Sequence, residues 1–66
     1  MNISLNGKQR EVEADLSLSG LLKELKLSPD TLCVEHNGRI VHREHFHKIV
    51  LKDGDALELV RFVGGG

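Results

Sequence analysis

Apolar and polar residues alternate from the first position: Met1, Ile3 and Leu5 against Asn2 and Ser4. A period of two predicts a half-buried strand. Asn6-Gly7 comes next and predicts a tight hairpin, because both residues tolerate positive φ. Alternation resumes over residues 9–14, with Val12 and Ala14 on one face and Glu11 and Glu13 on the other. The period then lengthens. Leu18, Leu21, Leu22 and Leu25 fall at i, i+3, i+4 and i+7, one apolar stripe of a helix. Ser17 suits the N-cap, where its hydroxyl can accept from an orphan backbone N–H. Gly20 is expected to weaken the first turn by about 1 kcal/mol relative to alanine. Ser28-Pro29-Asp30 is expected to close the segment, since proline cannot continue a helix. A helix of about two to three turns is not stable alone, so it must lie against the sheet.

Alternation returns over residues 32–36, a third strand. Asn37-Gly38 predicts a second turn, and Arg39-Ile40-Val41 a short fourth strand. Residues 42–48 are polar and irregular, with Phe46 as an anchor. Ile49 and Leu51 lead to Asp53-Gly54-Asp55, a tight acidic turn, and residues 56–63 read as the last strand. The order ββαβββ places one helix over one face of a mixed sheet. The helical crossover lets the first and last strands pair in parallel at the centre. This predicts an α+β chain with the β-grasp, or ubiquitin-like, architecture: a domain over residues 1–63 and a glycine tail over 64–66.

Composition narrows the function. Sixty-six residues form one domain with a thin core. Only Phe46 and Phe62 are aromatic, so that core is aliphatic. A net charge of −1 with no basic run argues against nucleic acid as the main partner. Cys33 is the single cysteine, which excludes an internal disulfide and any multi-cysteine zinc site. No apolar run approaches the roughly 18 residues of a membrane span and no signal-peptide pattern opens the chain, so the expected location is cytoplasmic.

The most informative chemistry is the ending, Gly64-Gly65-Gly66. Trailing glycines add nothing to a core and are entropically costly to order. They do make a thin arm, free of side chains, that could thread a channel in another protein and offer its carboxylate to ATP. The plain alternative is a frayed terminus or a cloning scar. Beside the arm, inward Leu57 and Leu59 would turn Glu58, Val60 and Phe62 outward by strict alternation. Val60 and Phe62, with Arg61 near the edge, would then dock a partner; alternatively, a bulge or twist turns Phe62 into the core. His36, His42, His45 and His47 match no zinc pattern and read as solvated, so no metal site is expected. Cys33 lacks an identifiable acid–base partner. Asp53 and Asp55 read as turn formers. No nucleophile, base and oxyanion donors can be assembled, so the chain is not expected to be an enzyme.

Several ordered pieces carry a family resemblance: Ile3-Ser4-Leu5-Asn6-Gly7, Leu21-Leu22-Lys23-Glu24-Leu25, Asn37-Gly38-Arg39-Ile40-Val41, Leu51-Lys52-Asp53-Gly54-Asp55 and the ending from Glu58 to Gly66. With these, the whole chain resembles the ThiS family, the sulfur carriers of thiamine biosynthesis. Two positions depart from its usual pattern: His36, where an apolar residue is usual, and His42, often proline. Both concern local packing rather than the tail. The resemblance implies that an E1-like (ThiF-like) adenylyltransferase uses ATP and magnesium to adenylate the Gly66 carboxylate. A persulfide donor then supplies sulfur, and Gly66 becomes a thiocarboxylate. A ThiG-like thiazole synthase would take that sulfur to build the thiazole ring. The chain itself would bind no cofactor. A carrier for molybdopterin or another sulfur-consuming pathway, a ubiquitin-like modifier of lysines, and a passive β-grasp binding domain are the competing readings.

Overall fold

A computed structural model describes residues 1–62. Its strands are β1 (Asn2–Leu5), β2 (Lys8–Glu11), β3 (Leu32–His36), β4 (Arg39–Val41) and β5 (Ala56–Arg61), with one α-helix, α1 (Leu18–Glu24). They form a five-stranded sheet in the order β2-β1-β5-β3-β4. β1 and β5 pair in parallel, and the other neighbours are antiparallel. The last strand is therefore the central one, as the β-grasp reading requires. Both hairpins are two-residue loops with positive φ at each residue: Asn6 and Gly7 at 50° and 83°, Asn37 and Gly38 at 52° and 84°. That geometry matches the right-handed twist of the strands it joins.

α1 lies against the inner face. Leu18, Leu21 and Leu22 are buried, each contributing about 2 kcal/mol through apolar burial. They meet Ile3, Val34 and Leu57 from the sheet and Phe46 and Leu51 from the crossing segment. Phe46 is the anchor of a 3-10 helix over Arg43–Lys48. Ser17 Oγ caps α1 by accepting from Gly20 N–H at 2.9 Å. Gly20 also makes room there. A Cβ at that position would lie 2.9 Å from Leu16 Cδ1 and 3.2 Å from Ser17 Oγ, so propensity alone does not describe this glycine.

Three local expectations need correction. β2 stops at Glu11, and Ala14 is exposed rather than inward with Val12. Val12 N–H makes the last contact, to Met1 O, and the chain turns away through left-handed Asp15 (φ 64°). Secondly, α1 ends before the proline. Lys26 adopts φ 59°, Lys26 N–H donates to Lys23 O, and Leu27 N–H donates to Leu22 O. This is the Schellman pattern with lysine in the place glycine usually takes, and the apolar Leu27 packs back on the core. Thirdly, Pro29 opens a 3-10 turn, Pro29–Thr31, capped by Ser28 Oγ. The turn feeds directly into β3.

Candidate functional site at the exit of the central strand

β5 runs from the acidic turn at one end of the sheet to the base of the tail at the other. On one side, β3 pairs with it from His36↔Leu57 to Leu32↔Arg61, and Phe62 N–H continues the contact to Thr31 O at 2.9 Å. On the other side, the backbone pairing with β1 is short: Ser4↔Ala56 and Leu5↔Leu57. Asn6 N–H then donates to Leu57 O at 2.8 Å, and the chain reverses. The Asn6 side chain goes one step further. Its Oδ1 accepts from Leu59 N–H at 2.7 Å, and its Nδ2 donates to Leu59 O at 3.2 Å. At the opposite end and edge of β5, Asn37 Oδ1 accepts from Ala56 N–H at 2.8 Å.

Leu57 is fully buried and Leu59 half-buried against the core. Alternation therefore turns Glu58, Val60 and Phe62 to the outer face. Val60 is 58% exposed and Phe62 65% exposed. No bulge or twist carries Phe62 into the core. Cys33, half-exposed, stands directly across from Val60, and the exposed Ile40 belongs to the same face, across from Glu35. Arg61 does not join this group. It is exposed on the helix side of the sheet, across from Leu32 and beyond the end of the core. The structure thus brings Val60 and Phe62 together and sets Arg61 on the reverse face. Gly64, Gly65 and Gly66, the expected reacting arm, lie with Val63 outside the described residues.

The histidines fall into two places. His36, His42 and His45 border an open groove with Arg39 and Lys48 beside β4, whereas His47 is not part of it. Among the described residues, no group of three or more His, Cys, Asp or Glu side chains is arranged to hold a metal ion. His42 has φ −76°, within proline's range, so the backbone here suits either residue. His36 is engaged elsewhere: its Nε2 lies 2.8 Å from Asp55 Oδ2.

Among the described residues, Asp55 is the buried polar one, at 8% exposure. Burial by itself pushes its carboxyl pKa up. Hydrogen bonds from His36, Asn37 Nδ2 and Lys52 N–H outweigh that effect, the His36 charge adds to them, and the net shift is below the usual 3.8. Asp53 is a turn former that also reaches out, its Oδ1 accepting from Asn2 N–H at 2.8 Å. Sequence reasoning identified the turn but missed the network. Its only signal was an unexpected histidine in β3 facing an apolar core.

The whole arrangement has close counterparts. A solved structure of the thiamine biosynthesis protein ThiS from Geobacter metallireducens superposes with a TM-score of 0.86 at 40% identity, covering 100% of both chains. The sulfur carrier protein ThiS of Bacillus subtilis is 37% identical over 65 residues, 97% of this chain and 98% of that protein. A thiazole synthase from Magnetococcus marinus is 41% identical over all 66 residues, and one from Paramagnetospirillum magneticum is 36% identical. The chain spans only 20% of the length of each of those two synthases. The model of the ThiS family matches residues 3–66, taking in the sheet, the helix and the glycine ending alike. By this match, and by its likeness over nearly the full length of the Bacillus protein, the chain belongs to the ThiS family.

Proposed function

We propose that this chain is a sulfur carrier for thiazole formation in thiamine biosynthesis, with the Gly66 carboxylate as the reacting group. The observation that carries the reading is the exit of β5. The central strand leads to the glycine ending, and exposed Val60 and Phe62 flank that point. The chemistry accounts for the residues. A carboxylate is anionic and resonance-stabilised, hence a poor electrophile. Its attack on the α-phosphorus of ATP, with magnesium balancing phosphate charge, releases pyrophosphate and leaves an acyl-adenylate. The terminal sulfur of a persulfide then attacks the acyl carbon and AMP departs. A thiol cleaves the resulting S–S bond, leaving a thiocarboxylate on Gly66 and a disulfide on the donor side. The chain is the substrate of these steps. An E1-like adenylyltransferase performs the first, and a thiazole synthase consumes the product. The synthases that share this chain's sequence over a fifth of their length support that acceptor.

Intact-mass spectrometry tests the reading directly. Incubation with the adenylyltransferase, ATP, magnesium and a persulfide donor should add about 16 Da, since nucleophilic displacement exchanges one oxygen for sulfur at the activated acyl group. Adducts joined to lysines of other proteins, with no thiocarboxylate, would instead mark a modifier.

The apolar pair is proposed to seat the chain on the adenylyltransferase. Aromatic residues, phenylalanine among them, are enriched at interfaces relative to the rest of the surface, and a few anchors in a partner's pockets carry most of the binding energy. Phe62→Ala should raise the dissociation constant for the adenylyltransferase about tenfold. The melting temperature should hold, because Phe62 is outside the core. Titration calorimetry showing wild-type affinity would remove Phe62 from the docking surface.

A further inference from the structure

Asn6 performs two separable tasks. Its backbone forms the first residue of a two-residue turn at φ 50°, which glycine or aspartate could also do. Its side chain makes a two-point contact with the peptide groups of Leu59, at 2.7 and 3.2 Å. The turn does not require that contact. The side chain stands in for the next residue of β1, extending the parallel pairing after the backbone has turned away. The two Leu59 groups also fix the orientation of the amide, since the N–H can only donate and the carbonyl only accept.

We propose that Asn6 is a positioning residue for the reactive tail: its clamp on Leu59 sets the direction in which β5 delivers Gly66. This rests on the carrier reading above. Without the clamp, β5 beyond Leu57 is held along the β3 edge alone, and a strand paired on one edge twists more freely. Gly66 is the seventh residue after Leu59, and residues 60–66 set the reach of the arm. They can span at most about 25 Å, so a change of about 10° in exit direction displaces an extended tip by roughly 4 Å. Displacements of about 1 Å already slow reactions that depend on in-line placement.

Asn37 supplies an internal control. It holds the start of β5, the end away from the tail, by accepting from Ala56 N–H through Oδ1, while its Nδ2 donates to Asp55. Asn6→Gly and Asn37→Gly both preserve positive φ; the first removes the Leu59 clamp, the second the Ala56 contact together with one donor to Asp55. ATP–pyrophosphate exchange with the adenylyltransferase should show kcat about tenfold lower for Asn6→Gly, with KM within about twofold of wild type. Asn37→Gly should destabilise the domain at least as much and keep wild-type kcat. The Leu59 amide should exchange faster with solvent only in Asn6→Gly. Asn6→Asp, which keeps the acceptor for Leu59 N–H, should recover part of kcat. A lowered melting temperature with wild-type kcat in Asn6→Gly would make the clamp purely structural and overturn the inference. Absence of exchange with the wild-type chain would instead overturn the carrier reading, and the inference with it.

Discussion

Gly65→Val should abolish adenylation, lowering kcat/KM for ATP–pyrophosphate exchange by at least about a hundredfold, while the domain melts at its usual temperature. The two outcomes are independent because the tail and the core are separate in the chain. Among the described residues, every buried apolar residue lies between Ile3 and Leu57, so the substitution deletes none of these core side chains. In the proposed mechanism the Gly66 carboxylate passes through a channel made by the partner, and one of its oxygens meets the α-phosphorus in line. Glycine lets backbone approach backbone or nucleotide closely, whereas a β-branched side chain adds bulk and restricts φ and ψ. Gly64, a spacer in this reading, should tolerate alanine far better. Pyrophosphate exchange and a thermal melt on the same preparations separate the effects. Wild-type exchange by Gly65→Val would rule out the threaded-tail mechanism.

The features most legible in the sequence are those encoded by neighbours in the chain. Each Asn-Gly pair fixes a two-residue hairpin because both residues accept positive φ. The spacing of Leu18, Leu21 and Leu22 fixes the buried side of α1, and Ser17 fixes its start. Outward Val60 and Phe62 follow from inward Leu57 once no bulge interrupts β5. Features made by distant partners are less legible. Ala14 fits the alternation, yet Asp15 turns the chain before the sheet can use it. Lys26 carries no visible stop signal, because its left-handed conformation is imposed by the Leu27 contact with the core. The clamp of Asn6 on Leu59 spans 53 positions and cannot be distinguished in sequence from ordinary turn formation. Arg61 shows the reverse problem: proximity to Val60 and Phe62 in the chain puts it on the other face of the strand.

Asp55→Ala should cost about 2–3 kcal/mol, the largest stability loss expected of any single polar substitution in the domain. The carboxylate gathers three donors from separate parts of the chain: His36 of β3, Asn37 of the second hairpin and the Lys52 backbone. Alanine would leave those donors without their acceptor at a part-buried place, and donors left unmatched away from water cost more than the bonds themselves contribute. For a domain of this size the melting temperature should fall by about 10 °C or more. The effect also has a pH signature. Because the folded carboxyl titrates below 3.8, its contribution is fully present above the unfolded pKa and is lost as pH falls through the folded pKa. The Asp55 carboxylate's part of the stability gap between wild type and Asp55→Ala should therefore be present at neutral pH and narrow in acid below about pH 4. Denaturant melts at pH 7 and pH 3 measure this. An equal gap at both values would show that the ionised carboxylate is not what the network stabilises. The same network explains how histidine can occupy position 36 at the margin of an aliphatic core: the ring donates from Nε2 to a buried acceptor instead of facing hydrocarbon with an unmatched N–H. Removing Asp55 should thus also make His36 the weak point of β3, and His36→Val should recover more stability in the Asp55→Ala background than in the wild type.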